Sequence, residues 1–144
     1  MYRIRFVKLC PGAHIPQKAH ADDAGFDLYA SEAFTLKAHR FGCVPTGIVV
    51  ELPAGTEGQV RPRSGLAAKY GVTVLNAPGT IDAGYRGEVK VILINHGDED
   101  LEIVPGMRIA QLVVSPVCPA EFEEAGSLSD SERGEGGFGS TGTK

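Results

Sequence analysis

The chain has 144 residues, 42% of them hydrophobic, which suits one domain with a packed core and leaves too little for two. A net charge of −4 argues against duplex nucleic acid, which needs clustered Lys and Arg, yet one or two arginines can still hold a nucleotide triphosphate. The three cysteines, Cys10, Cys43 and Cys118, form no CxxC pair, and no apolar run resembles a signal peptide or a membrane span. Reduced thiols in the soluble interior of a cell are therefore expected, in the cytoplasm or, in a eukaryote, the nucleus.

Tyr2, Ile4 and Phe6 alternate with Arg3 and Arg5, the period of a half-buried strand. Residues 47–52 (GIVVEL) form a β-branched run that stops at the Pro53-Ala54-Gly55 turn. Residues 59–63 continue as a strand toward Pro62, which belongs at its end. Ser64 is a good N-cap for a short helix over 66–70. Residues 72–75 read as a strand, 76–79 (NAPG) as a turn, and 89–94 as a strongly β-branched strand. Turns at 96–100 and 105–106 precede the last strand, 108–115. Nineteen glycines and nine prolines punctuate these short strands, so a sandwich, jelly roll or barrel is expected. Beyond Phe122 the sequence loses almost all apolar residues except Leu128 and Phe138. This gives a folded domain over 1–122 and a mobile, glycine-rich tail over 123–144.

Three segments carry candidate chemistry. In Arg61-Pro62-Arg63-Ser64-Gly65-Leu66, backbone N–H groups at a helix start beside an arginine could hold phosphate. An ordinary capped helix with a solvated arginine would read the same way. Residues 75–90 (LNAPGTIDAGYRGEVK) read as a β-hairpin, where Gly79, Gly84 and Gly87 would let a ligand approach the backbone. Asp82 beside apolar Ile81 would be partly desolvated and so a better base, and Tyr85 offers a flat face to a sugar. A glycine-rich hairpin whose Asp supports the turn is the plainer alternative. The tail segment 133–142 (RGEGGFGSTG) is not a Walker sequence and could be a flexible linker. It nevertheless holds a Phe able to stack on a base, an Arg, and hydroxyls for phosphate oxygens. His14, His20, His39 and His96 are scattered and read as surface residues.

Taken together, AGFDLYA (24–30), RPRSGLAAK (61–69), NAPGTIDAGYRGE (76–88), GMRIAQLV (106–113) and RGEGGFGSTG (133–142) resemble the five ordered motifs of the trimeric dUTPase family. Phe26 stands where many relatives carry Tyr. The resemblance implies an all-β, jelly-roll-like barrel with one short helix, assembled as a homotrimer with three shared active sites. It implies hydrolysis of dUTP to dUMP and pyrophosphate by water attack at the α-phosphorus, which keeps uracil out of DNA and supplies dUMP for dTMP synthesis. Arg63, Ser64 and Gly65 would hold the phosphates. Asn76, Gly79, Thr80, Ile81 and Lys90 would line the uracil and deoxyribose pocket, Asp82 would orient the attacking water, and Tyr85 would pack beneath the sugar and exclude a 2′-hydroxyl. Asp27 and Gln111 would support the phosphates and the water shell of Mg²⁺, itself bound mainly through the triphosphate, with no protein metal cage. Arg133, Phe138, Gly139, Ser140 and Thr141 would close over the substrate from another subunit. A dCTP deaminase of the same superfamily, or a catalytically silent nucleotide-binding regulator, is the competing expectation. The Asp82 and Tyr85 arrangement and the complete tail favour the hydrolase.

Overall fold

The computed structural model describes residues 1–142. Its elements are β1 (Arg5–Lys8), β2 (Gly25–Tyr29), β3 (Phe34–Leu36), β4 (Phe41–Glu51), β5 (Thr56–Arg61), α1 (Ser64–Tyr70), β6 (Val72–Val74), β7 (Gly79–Asp82), β8 (Glu88–Asn95), β9 (Leu101–Ile103) and β10 (Arg108–Pro116). One four-stranded sheet has the order β1-β4-β8-β6, a second β2-β10-β5-β7, and β3 pairs with β9. All pairings between these strands are antiparallel. This is the expected jelly-roll-like, all-β arrangement, but the sheets stay separate rather than closing into one barrel.

The core forms where the inward positions of the sheets meet. Along β8, Val89, Val91, Leu93 and Asn95 are buried while Lys90 points outward, the period-two pattern of a strand. Val44, Ile48 and Val50 of β4 join the same cluster as Leu28, Val60, Ile81, Ile109 and Leu112 of the second sheet and Leu36 and Ile103 of the small one. Each such side chain contributes about 1.5–3 kcal/mol by leaving water. Asn95, fully buried, donates to the carbonyls of Leu36 (3.1 Å) and Glu99 (2.9 Å) and accepts the Gly97 N–H (2.9 Å), so its burial leaves no bond unmade.

Four expectations change. Residues 75–90 are not a hairpin: β7 pairs with β5 and β8 with β4 and β6, so this segment crosses from one sheet to the other. The glycine and turn signals are real, but they serve a crossover, which local sequence cannot tell from a hairpin. Ser64 is the first helical residue rather than the cap. Arg63 holds the cap position in extended conformation, with no side-chain capping bond, and Gly71 ends the helix in the left-handed conformation. The first strand begins at Arg5, and all four of its residues are exposed, because it pairs only with β4 at the sheet's edge. Finally, β4 runs from Phe41, well before the β-branched stretch, with a register shift between Pro45 and Val49.

Candidate active site

The crossover between the sheets opens a cleft of about 330 Å³, a volume suited to a nucleoside-sized ligand. Alternation along β7 buries Gly79 and Ile81 and turns Thr80 and Asp82 outward. All four line the cleft, with Asn76, Tyr85 and Lys90. The structure therefore gathers every residue expected at the base and sugar. It also adds Glu88, Cys43, Val60 and Ile92, which the sequence reading gave no role. Their signal was available only as outward or inward register on strands whose pairing was not known.

Asp82 is exposed rather than desolvated. The apolar neighbour invoked for its activation points the other way, as adjacent residues of a strand must. Its backbone carbonyl accepts the Tyr85 main-chain N–H at 3.0 Å, and the Tyr85 hydroxyl donates to the Glu88 carbonyl at 3.0 Å, so the backbone of Tyr85 is tied to one end of the crossover and its ring to the other. The Glu88 carboxylate accepts the Gly47 N–H at 2.9 Å and stands 3.6 Å from the Lys90 ammonium. Strand β7 is the last strand of its sheet, so its outer edge offers backbone donors and acceptors that no neighbouring strand uses.

A second group lies on β2, β10 and the entrance to α1. Asp27 and Gln111 are register partners on β2 and β10, and Gln111 donates to the Pro62 carbonyl at 2.9 Å, which anchors the start of the Arg63 segment. Arg63 and Arg108 each place a guanidinium nitrogen on a different oxygen of Asp27, at 3.1 and 3.2 Å. Asp27, Arg63, Ser64, Arg108 and Gln111 line a shared cleft of about 300 Å³. Gly65 joins Arg63, Lys69 and Arg108 around a neighbouring hollow of about 250 Å³. Arg63, Lys69 and Arg108 bring positive charge of the kind that suits phosphate, set against the carboxylates of Asp23 and Asp27. Arg108 is an addition to the sequence reading, which quoted its motif but gave it no part. One buried nitrogen of Arg63, Nη1, has no hydrogen-bond acceptor and meets Asp27 by charge alone.

The first cleft takes no residue from the second group, and neither takes a residue of the tail. Residues 117–142 form no helix or strand. Arg133 donates to the Gly136 carbonyl of its own turn at 2.7 Å, and Phe138 is fully exposed. Gly139, Ser140 and Thr141 lie in the turns that follow. Among the described residues, no three His, Cys, Asp or Glu side chains are grouped as a metal cage requires. Both oxygens of Asp27 already face guanidinium groups, so an ion here would have to be carried mainly by phosphate oxygens and water.

The dUTPase family model matches residues 12–142. The deoxyuridine 5′-triphosphate nucleotidohydrolase of Clostridium acetobutylicum is 54% identical over all of this chain and 99% of its own. That of Clostridioides difficile is 56% identical over 99% of each chain. The solved dUTPase of Staphylococcus bacteriophage 80alpha with dUpNHpp is 29% identical and superposes with a TM-score of 0.91, covering 98% of this chain and 99% of that one. With a family match over nearly its full length and relatives at more than half identity, the chain belongs to the dUTPase family.

Proposed function

We propose that this protein hydrolyses dUTP to dUMP and pyrophosphate. The observation that carries the reading is the cleft at the crossover, where an exposed strand edge, a tethered tyrosine and an exposed carboxylate meet. Uracil would pair with backbone groups along β7 from Gly79 to Ile81, with Asn76 beside them. Uracil and cytosine present opposite donor and acceptor patterns at position four, so fixed backbone groups can separate them. Tyr85 would lie beneath the deoxyribose and leave no room for a 2′-hydroxyl. The Asp82 carboxylate would accept a proton from water as its oxygen bonds to the α-phosphorus and the bond to the bridging oxygen of the leaving pyrophosphate breaks.

The triphosphate would meet Arg63, Ser64 and Gly65, with Gln111 and Asp27 holding that segment in place. Mg²⁺ bound with the triphosphate would supply further neutralisation of its charge. Because the two clefts of one chain share no residue, the complete site would take the nucleoside cleft from one copy and the phosphate group from another, in a homotrimer. Exposed apolar residues such as Phe6, Val7 and Val117 leave surface for such contacts. The tail beyond residue 122 would close over the substrate from a further copy, with Phe138 on the uracil and Arg133 on the phosphates. The decisive assay is pyrophosphate release across the four standard dNTPs, dUTP and UTP. Turnover confined to dUTP is expected. Ammonia from dCTP, or no pyrophosphate from any nucleotide, would reject the reading.

A further inference from the structure

We propose that Gly87 sets the deoxyribose preference by holding the Tyr85 ring in its place. Gly87 would be a positioning residue that acts without touching substrate. The inference rests on the reading of Tyr85 as the platform beneath the sugar.

Gly87 does not have the left-handed φ that would demand glycine. What demands it is space. A β-carbon on Gly87 would lie 2.3 Å from the Tyr85 hydroxyl oxygen, 2.5 Å from Cζ and 2.9 Å from Cε2, well inside van der Waals contact. The phenol therefore lies directly against the Gly87 backbone. From there its hydroxyl reaches the carbonyl of the next residue, Glu88, at 3.0 Å. The main chain of Tyr85 is fixed in turn by its N–H on the Asp82 carbonyl.

The ring is 46% exposed, so surrounding side chains do not confine it. Its position depends on the flat floor at Gly87 and on the hydroxyl bond. The floor itself cannot give way easily. Glu88 is held by its bond to Gly47, and Val89 is buried in the core at 2% exposure. A methyl group on residue 87 would therefore move the ring, the free end of the contact, rather than the strand. Gly84, in the same crossover, makes the contrast. It does not line the cleft, and a β-carbon there meets nothing within 4 Å.

The test compares kcat/KM for dUTP with that for UTP by pyrophosphate release in the full-length protein and in Gly87→Ala, Gly84→Ala, Tyr85→Ala and Tyr85→Phe, each checked for folding by circular dichroism. Gly87→Ala should lower the dUTP-to-UTP ratio by roughly tenfold or more, toward the value of Tyr85→Ala, a size typical of shape discrimination. Gly84→Ala should keep the parental ratio. Tyr85→Phe, which removes only the hydroxyl tether and adds no atom to the site, should lower the ratio by about threefold, the scale of one hydrogen bond. A parental ratio in folded Gly87→Ala, with a collapsed ratio in Tyr85→Ala, overturns the role of Gly87 and leaves Tyr85 standing. Should Gly87→Ala not fold, a parental ratio in Tyr85→Phe overturns it. A parental ratio in Tyr85→Ala removes the platform reading, and this inference with it.

Discussion

Asp82→Asn separates chemistry from structure more cleanly than any other change in the nucleoside cleft. The side chain projects from the end of β7 into solvent and, among the described residues, makes no hydrogen bond or ion pair. The bonds around residue 82 that shape the crossover run through its backbone: pairing with Glu57 and acceptance of the Tyr85 N–H. Asparagine has the same shape and preserves both. Stability should therefore change by no more than about 0.5 kcal/mol, which in a chain of this size moves Tm by about 1–2 °C. The neutral amide cannot take a proton from water, and removing a general base costs about 10²–10⁴-fold in rate. That corresponds to about 3–5 kcal/mol of barrier. The assay is the initial rate of pyrophosphate release at saturating dUTP, paired with calorimetric affinity for a non-hydrolysable dUTP analogue. Turnover should collapse while affinity stays within a few-fold. Turnover within fivefold of the parent, in protein with unchanged melting, would remove Asp82 from catalysis. Glu88 is a poor substitute, since one oxygen of its carboxylate is already committed to the Gly47 N–H.

Asp27→Ala should lower stability by about 1–3 kcal/mol in urea unfolding, because Arg63 and Arg108 would lose their shared counter-charge in a half-buried setting. An unchanged urea midpoint would show that the two ion pairs hold nothing in place. Truncation before Arg133 should leave assembly and dUMP affinity intact while lowering turnover on the order of a hundredfold, if the tail orients the bound triphosphate. Hydrogen exchange of the tail amides should slow with the dUTP analogue and Mg²⁺ and much less with dUMP. Equal protection in the free protein would mean that the tail is already docked.

The elements easiest to read in the sequence are those whose signal is local. The β-branched runs at 47–52 and 89–94 became strands because such side chains suit a pleated, half-buried surface. The helix after Ser64 followed from composition, although its first turn is capped by no side chain. Residues of the third motif also line one cleft together with Lys90. Partner choice was hidden. The glycine-rich stretch 75–90 carries the turn chemistry of a hairpin, but tertiary packing sends its two strands to different sheets. This alone corrected the account of Asp82: once β7 is an edge strand packed on β5, alternation puts Ile81 inside and Asp82 outside. The part of Arg108 was equally invisible. Nothing near it in sequence shows that Asp27, 81 residues away, lies across from it.

If the site is divided between the two clefts as proposed, a quantitative consequence follows. Among the described residues, Lys90 is the one cation lining the cleft at the crossover, and it stands 3.6 Å from Glu88, whereas Arg63, Lys69 and Arg108 all lie around the second group. On the proposed reading, a triphosphate would have its charge met away from the cleft that would hold its base. If two copies supply the two halves, Asp82 and Arg63 of one working site belong to different chains. An Asp82→Asn chain then retains a sound phosphate half, and an Arg63→Ala chain a sound nucleoside half. Each variant alone should be almost inactive. Unfolding and refolding the two together in equal amounts should restore roughly a quarter of the parental activity, since random mixing in a closed trimer gives each half an even chance of being intact. Sedimentation should show particles of three times the 15.2 kDa chain mass before and after mixing. Refolded mixtures of normal mass that gain no activity would place Asp82 and Arg63 of each site on the same chain, and the shared-site arrangement would fall.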